Sequence, residues 1–192
     1  MIRRLYDWTI SLASSQHALW ALAVIAFIES SVFPIPPDIL MIPMIIATPK
    51  RAFLIAGIAT VSSVLGGMFG YYIGYALFET VGQPILEFYG KDIYFDEFAR
   101  KYNEWGAWAV LVAGVTPFPY KVITIMSGVT HLNIVVFTFA SIVARGLRFF
   151  VVAALLWKFG EPIRDFIERR LGLMFTVFMV LLLGGFVALK YL

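Results

Sequence analysis

The chain has 192 residues, 61% of them hydrophobic, 17% aromatic and only 14% charged, with a formal net charge of +3. Soluble domains average about 45–50% apolar and about 25% charged residues, so this composition, with a mean hydropathy of +0.87, excludes an ordinary soluble domain and predicts a single integral membrane domain over 1–192. Cysteine is absent, which excludes disulfides, thiolate metal sites and cysteine nucleophiles, and the scattered basic residues form no nucleic-acid footprint.

Residues 1–17 open with Arg3 and Arg4 and alternate polar with apolar side chains. Leu5, Trp8, Ile10 and Leu12 would face lipid in a short interfacial helix; a frayed terminus fits the same residues. The apolar run that follows continues to Thr48 with no small-residue cleavage site, so it reads as mature protein rather than a signal peptide.

Ala18 to Thr48 is too long for one helical span and too short for two: it would measure roughly 45 Å as a helix against a hydrocarbon core of about 30 Å. "FPIPPD", residues 33–38, breaks it with Pro34, Pro36 and Pro37. The segment therefore predicts a re-entrant hairpin, with 18–33 going in and 39–48 returning to the same side. Ala52 to Phe78 predicts a full span, with Ser62, Gly66, Gly70 and Gly74 four apart on one face. Small residues at that spacing let backbones approach closely, and they also leave room for a lateral opening.

Residues 79–105 form an acidic, aromatic connector expected to lie along the outer surface. Residues 106–157 then repeat the earlier order. "TPFPYK" breaks an apolar stretch at Pro117 and Pro119, and Asn133 to Trp157 spans the membrane. A polar link over 158–170 leads to a last span, Leu171 to Leu189. Basic residues gather at the ends that a cytoplasmic N-terminus would place inside, which predicts that orientation.

Overlaying P-I-P-P-D (34–38) on P-F-P-Y-K (117–121) aligns the prolines and sets Asp38 on Lys121. Each break is followed by a span, and the two breaks enter from opposite sides, so the repeats 18–78 and 106–157 are inverted. The expected fold is thus all-α: two re-entrant hairpins, each followed by a span, flanked by the interfacial helix and the last span. Secondary transporters use such broken helices to place a site at the bilayer midplane.

Five ionisable residues fall within apolar stretches: Glu29, Asp38, Lys121, Arg145 and Arg148. Each is expensive there, by about 2.5–3.5 kcal/mol on insertion scales, and two acids against three bases leave a surplus positive charge. Asp38 begins a returning half-helix, where an acid suits the helix dipole; Lys121 holds the same place in the other repeat and does not. An anion, either Asp38 or a phosphate ligand, would resolve the conflict. Arg145 reads as a cavity residue, and Arg148 reads either so or as a side chain snorkelling to the interface. Glu29 reads as a proton-handling acid or as an arginine's ion-pair partner.

The E-x(8)-D of Glu29 and Asp38 around its F-P-x-P core, the span "GGMFGYYIGY" and the hairpin "TPFPYKVITIMSG" together resemble the DedA family of VTT-domain, or SNARE-associated Golgi, proteins. The small YqaA-like branch is the nearest in pattern. The resemblance covers about residues 18–157 and implies lipid translocation: a flippase or scramblase for undecaprenyl phosphate or a phospholipid, with proton-motive force implicated for some members. It implies a bacterial inner-membrane location, phosphate-bearing lipids as partners and protons as candidate coupling ions. One departure stands out. Many DedA proteins carry arginines beside the second proline turn, whereas this chain has Thr116 and Lys121 there, and a lysine lacks the arginine fork. A small-ion or small-solute transporter on the same scaffold is the alternative. No H-E-x-x-H or G-x-S-x-G motif is present, so no enzyme, metal or cofactor is expected, and a homo-oligomer is left open.

Overall fold

Helix α1, Ala18–Ser31, contains neither glycine nor proline and stops three residues short of Pro34. Ser31 closes it by donating its hydroxyl back to the carbonyls of Phe27 (3.0 Å) and Ile28 (3.2 Å), which satisfies acceptors that the ending helix leaves free. This computed structural model describes residues 17–32, 36–88, 92–116 and 118–160. The expected interfacial segment before His17, the expected span over 171–189, and Pro34 and Pro117 lie outside those residues.

Helix α2, Asp38–Ala47, starts directly behind Pro36 and Pro37, because proline is tolerated at a helix start where its missing N–H costs nothing. A 3-10 turn, Pro49–Arg51, leads into α3, Ala52–Leu77, and a π turn, Phe78–Gly82, continues it into the short α4, Gln83–Phe88. The chain then enters α5, Asp92–Val115. Here the molecule departs from the expected division at residue 105. The later part of the connector, from Asp92, and the arm after it are one unbroken helix, since neither proline nor a glycine pair interrupts 92–115 and its polar half carries the i,i+4 pairs Glu97–Lys101 (2.9 Å) and Arg100–Glu104 (3.0 Å).

Pro119 precedes α6, Tyr120–Val129. A tight turn with His131 in the left-handed region (φ 54°) joins it to α7, Ile134–Phe159. Asn133 caps α7 by accepting from the amides of Val135 (2.9 Å) and Val136 (3.2 Å), the usual remedy for free N-terminal donors.

Two long helices form the axis of the fold. They run antiparallel: Tyr71 packs on Phe137, Ser63 meets Arg145, and Phe53 packs on both Phe150 and Trp157. Both Pro49–Phe88 and Ile134–Phe159 are long and apolar enough to cross a bilayer. Each also exposes large apolar side chains, such as Leu65 and Phe69 on α3 and Phe139 and Leu147 on α7. Exposed apolar faces of that size suit a hydrocarbon solvent and not water.

The short helices pack on this axis at its two ends. The start of α1 (Ala18, Leu22) and the end of α2 (Met44, Ile45) share one apolar cluster with the start of α3 (Ala52, Ile55). At the other end, Tyr102 and Asn103 of α5 hydrogen-bond to Ser127 and to the Thr130 carbonyl, where α6 finishes. Gly66 sits against the backbone of Phe27 in α1, Gly70 against the carbonyl of Ser30, and Gly74 against the backbone of Ile125 in α6. The glycine stripe is therefore closed by two helices. It holds no lateral opening, because a glycine face brings backbones together and is filled by doing so.

Gly57, by contrast, faces open space. Alanine at Gly66 or Gly74 is expected to lose about 1–3 kcal/mol through overpacking against backbone, while Gly57→Ala stays neutral or gains up to about 1 kcal/mol from helix propensity. Thermal unfolding of the three variants in one detergent measures the difference, and equal behaviour would contradict the packing described.

Candidate functional site

Halfway along the α3–α7 contact the interior turns polar. Arg145 is the largest fully buried side chain, with 1% of it exposed. Its Nη2 donates to Glu29 Oε2 at 2.7 Å and its Nε to Ser63 Oγ at 2.6 Å. Ser30 Oγ donates to the same Glu29 oxygen (3.0 Å) and lies 2.6 Å from Ser63 Oγ. The donors can be assigned in turn. Ser63 accepts from Arg145 and gives its own proton to Ser30, and Ser30 gives its proton to Glu29. Four side chains from three helices thus close a ring in which both hydroxyl protons have an acceptor.

The guanidinium is also sandwiched, its carbon 4.8 Å from the ring centroid of Tyr120 and 4.7 Å from that of Phe149. A desolvated cation gains most from such faces. Tyr120 is itself fully buried and donates its hydroxyl to Ser141. Only an arginine can serve two acceptors along one edge while stacking through its plane.

Arg148 makes a second ion pair one helical turn on. Its Nη2 donates to Asp38 Oδ2 at 2.8 Å and its Nη1 to the carbonyl of Thr116 at 3.1 Å. One side chain on α7 therefore ties the start of α2 to the end of α5, the two places where proline interrupts the chain. Asp38 (8% exposed) and Arg148 (18%) are both turned inward. The alternative in which Arg148 snorkels to an interface does not describe this geometry, because a buried carboxylate at a helix start holds the guanidinium in the interior.

Lys121 stands apart. It lies in the first turn of α6, partly buried, and among the described residues it has neither an ion pair nor a side-chain hydrogen bond. Of the two anions that would satisfy it, Asp38 makes no ion pair with Lys121 and is held by Arg148 instead. The backbone of Lys121 is anchored nearby. Thr124 Oγ1 contacts both the Lys121 carbonyl (2.9 Å) and the Ser30 carbonyl (3.1 Å), joining α6 to α1 beside the serine ring.

The structure thus brings Glu29, Asp38, Arg145 and Arg148 together as two neighbouring ion pairs and leaves Lys121 as the unpaired cation of the five. Pro37 is buried before α2, Pro36 exposed, and Pro119 precedes α6. Sequence reasoning missed Ser30, Ser63, Tyr120 and Ser141. Their one available signal was position: Ser30 adjoins Glu29, and Ser63 adjoins the glycine stripe. Among the described residues no three His, Asp or Glu side chains gather as a metal ion would need.

Comparison with known proteins decides the family. The model of the VTT domain matches residues 34–158, which takes in the second arm of the first break, the whole glycine stripe, the second break and α7. The chain belongs to the VTT-domain, or DedA, family. Two relatives are similar over nearly their full length: an uncharacterized protein of Haemophilus influenzae, 36% identical over 168 residues (85% of this chain, 87% of that one), and a Histophilus somni protein described as a homologue of HI0703, 38% identical over 168 residues (85% and 87%). A third, undecaprenyl phosphate transporter A of Staphylococcus aureus, is 30% identical over 108 residues, 54% of this chain and 49% of that protein. No solved structure matches. As a VTT-domain protein with two helices long and apolar enough to cross a bilayer, this is a membrane protein.

Breaking the ring from one side leaves a buried charge without its partner, which costs about 3–5 kcal/mol. Arg145→Leu and Glu29→Leu are each expected to destabilise by that order, and the double variant by clearly less than their sum. Arg145→Lys is expected to fail as a replacement. Denaturation of the four proteins in the same micelles reads out the coupling; additive losses would contradict the pairing.

Proposed function

We propose that this VTT-domain protein is a membrane transporter, not an enzyme, that moves a lipid bearing a phosphate headgroup across the bilayer. The observation that carries the reading is the charge balance of the interior. Glu29 neutralises Arg145 and Asp38 neutralises Arg148, so one cation, Lys121, is left over in the first turn of α6. The free N–H groups of that helix start add positive potential to it. A partly buried ammonium without a carboxylate is stabilised by an anion that comes and goes, and phosphate is the common guest at a helix start. The name of the Staphylococcus aureus relative, an undecaprenyl phosphate transporter, points to the same headgroup chemistry.

The scaffold we infer is an inverted repeat of two re-entrant hairpins. Several contacts support it. Both ends of the first helix pair cluster at the start of α3, and Tyr102 and Asn103 of α5 reach the end of α6, as expected of hairpins that enter and leave on one side. The shift that carries Pro34 onto Pro117 also carries Ser62 onto Arg145, and the α3–α7 contact at that level is Ser63 with Arg145. An axis relating two inverted halves has to pass where equivalent positions meet. In this reading the protein sits in a bacterial inner membrane with its N-terminus inside, since that orientation keeps most flanking lysines and arginines inside.

The test is reconstitution. Vesicles containing the protein are expected to translocate undecaprenyl phosphate or a phospholipid, with and without a pH gradient to show any proton coupling. Lys121→Ala is expected to slow translocation about tenfold or more, because a hydrogen bond to a charged group contributes about 1.5–3 kcal/mol. Flux of small ions without lipid movement, or full activity in Lys121→Ala, would overturn the reading.

A further inference from the structure

On the outer flank of α5 the molecule keeps an apolar groove of about 430 Å³. Its floor is a stripe along one helix face, Trp105, Trp108, Val112 and Thr116, and its far wall is Phe118 with Ile123 of α6. Along the helix that stripe runs about 16 Å, half the hydrocarbon thickness. Trp105 and Trp108 are largely exposed at its connector end, the residue type that marks a membrane–water interface.

The groove's inner end is what says how it is occupied. Thr116, which follows the last residue of α5, gives its carbonyl to Arg148, and Arg148 holds Asp38. Across the groove, Phe118 and Ile123 flank the start of α6, whose first turn carries Lys121; Lys121 is not among the lining residues, since side chains two apart on a helix do not share a face. The apolar groove thus runs from two interfacial tryptophans to the start of α6, whose free N–H groups carry positive potential. The shape is that of an amphiphile lying lengthwise, hydrocarbon in the groove and an anionic head at that helix start. The repeat sharpens the contrast, because the shift that sets Pro34 on Pro117 sets Glu29 on Val112. Where the first half carries its acid, the second carries the middle of the groove.

We infer that the groove between α5 and α6 binds a hydrocarbon chain of the transported lipid while its phosphate rests at the start of α6. The inference rests on the lipid reading above and deepens it by naming the lateral path, which the filled glycine stripe of α3 does not provide.

The probe is a phosphatidylglycerol with a diazirine near the end of one acyl chain, in vesicles of phosphatidylglycerol and phosphatidylethanolamine containing the full chain. Photolabel is expected within residues 105–123. Val112→Trp, which fills the groove and leaves both ion pairs in place, is expected to reduce that label and lipid translocation tenfold or more. Label found elsewhere on the wild-type protein overturns the groove whether or not the variant folds. If Val112→Trp translocates lipid normally while Lys121→Ala does not, the groove fails and the headgroup reading stands; if the wild type moves no lipid, the headgroup reading itself fails. The chain has no cysteine, so Val112→Cys combined with single cysteines walked through 171–189 gives a further check. Complete disulfide formation there would show that the protein's own C-terminal segment covers the groove, and would also overturn the inference.

Discussion

The ion pair between Arg145 and Glu29, closed through Ser63 and Ser30, is the interaction on which the rest of the arrangement depends. A guanidinium in the middle of an apolar span is costly, and here an ion pair, a second hydrogen bond and two aromatic faces offset that cost. The need for them explains the packing around it. α1 must lie close enough to α3 for two serine hydroxyls to touch, and the glycines at 66 and 70 permit the approach. Tyr120 must be fully buried to cover one face of the guanidinium, so α6 is held against both spans.

Arg148 extends the same logic from position to connection. By taking Asp38 with one nitrogen and the Thr116 carbonyl with another, it couples the two proline breaks through a residue that belongs to neither. A movement of one break that releases Asp38 would leave a buried guanidinium short of its acceptor, so the two breaks are expected to move together. The two halves are nevertheless chemically unequal. The first supplies both acids; the second supplies the tyrosine, the unpaired lysine and the apolar groove.

Much of this was legible in the sequence because bilayer thickness is a ruler. The run from Ala18 to Thr48 fits neither one span nor two, and its prolines mark where α1 and α2 part. The charges stood out for the same reason, since each sat in an apolar stretch. Their pairing was not legible. Overlaying the motifs set Asp38 on Lys121, but a sequence match between two segments does not bring the matched residues into contact, and in the structure Arg148 holds Asp38. Ser63 was invisible because a serine beside a glycine stripe reads as packing; its role depends on how far α3 is rotated about its own axis. The continuous helix 92–115 was missed because polarity changes near Trp105 without any residue that breaks a helix there.

The central claim, that two opposed half-membrane hairpins carry the charged interior, is tested most directly by side-specific labelling. Single cysteines at His17 and Lys50 flank the first hairpin, and cysteines at Asn103 and His131 flank the second. Membrane-impermeant maleimide applied to oriented vesicles should reach His17→Cys and Lys50→Cys from one face, and Asn103→Cys and His131→Cys from the other. Labelling of His17→Cys and Lys50→Cys from opposite faces would contradict the account.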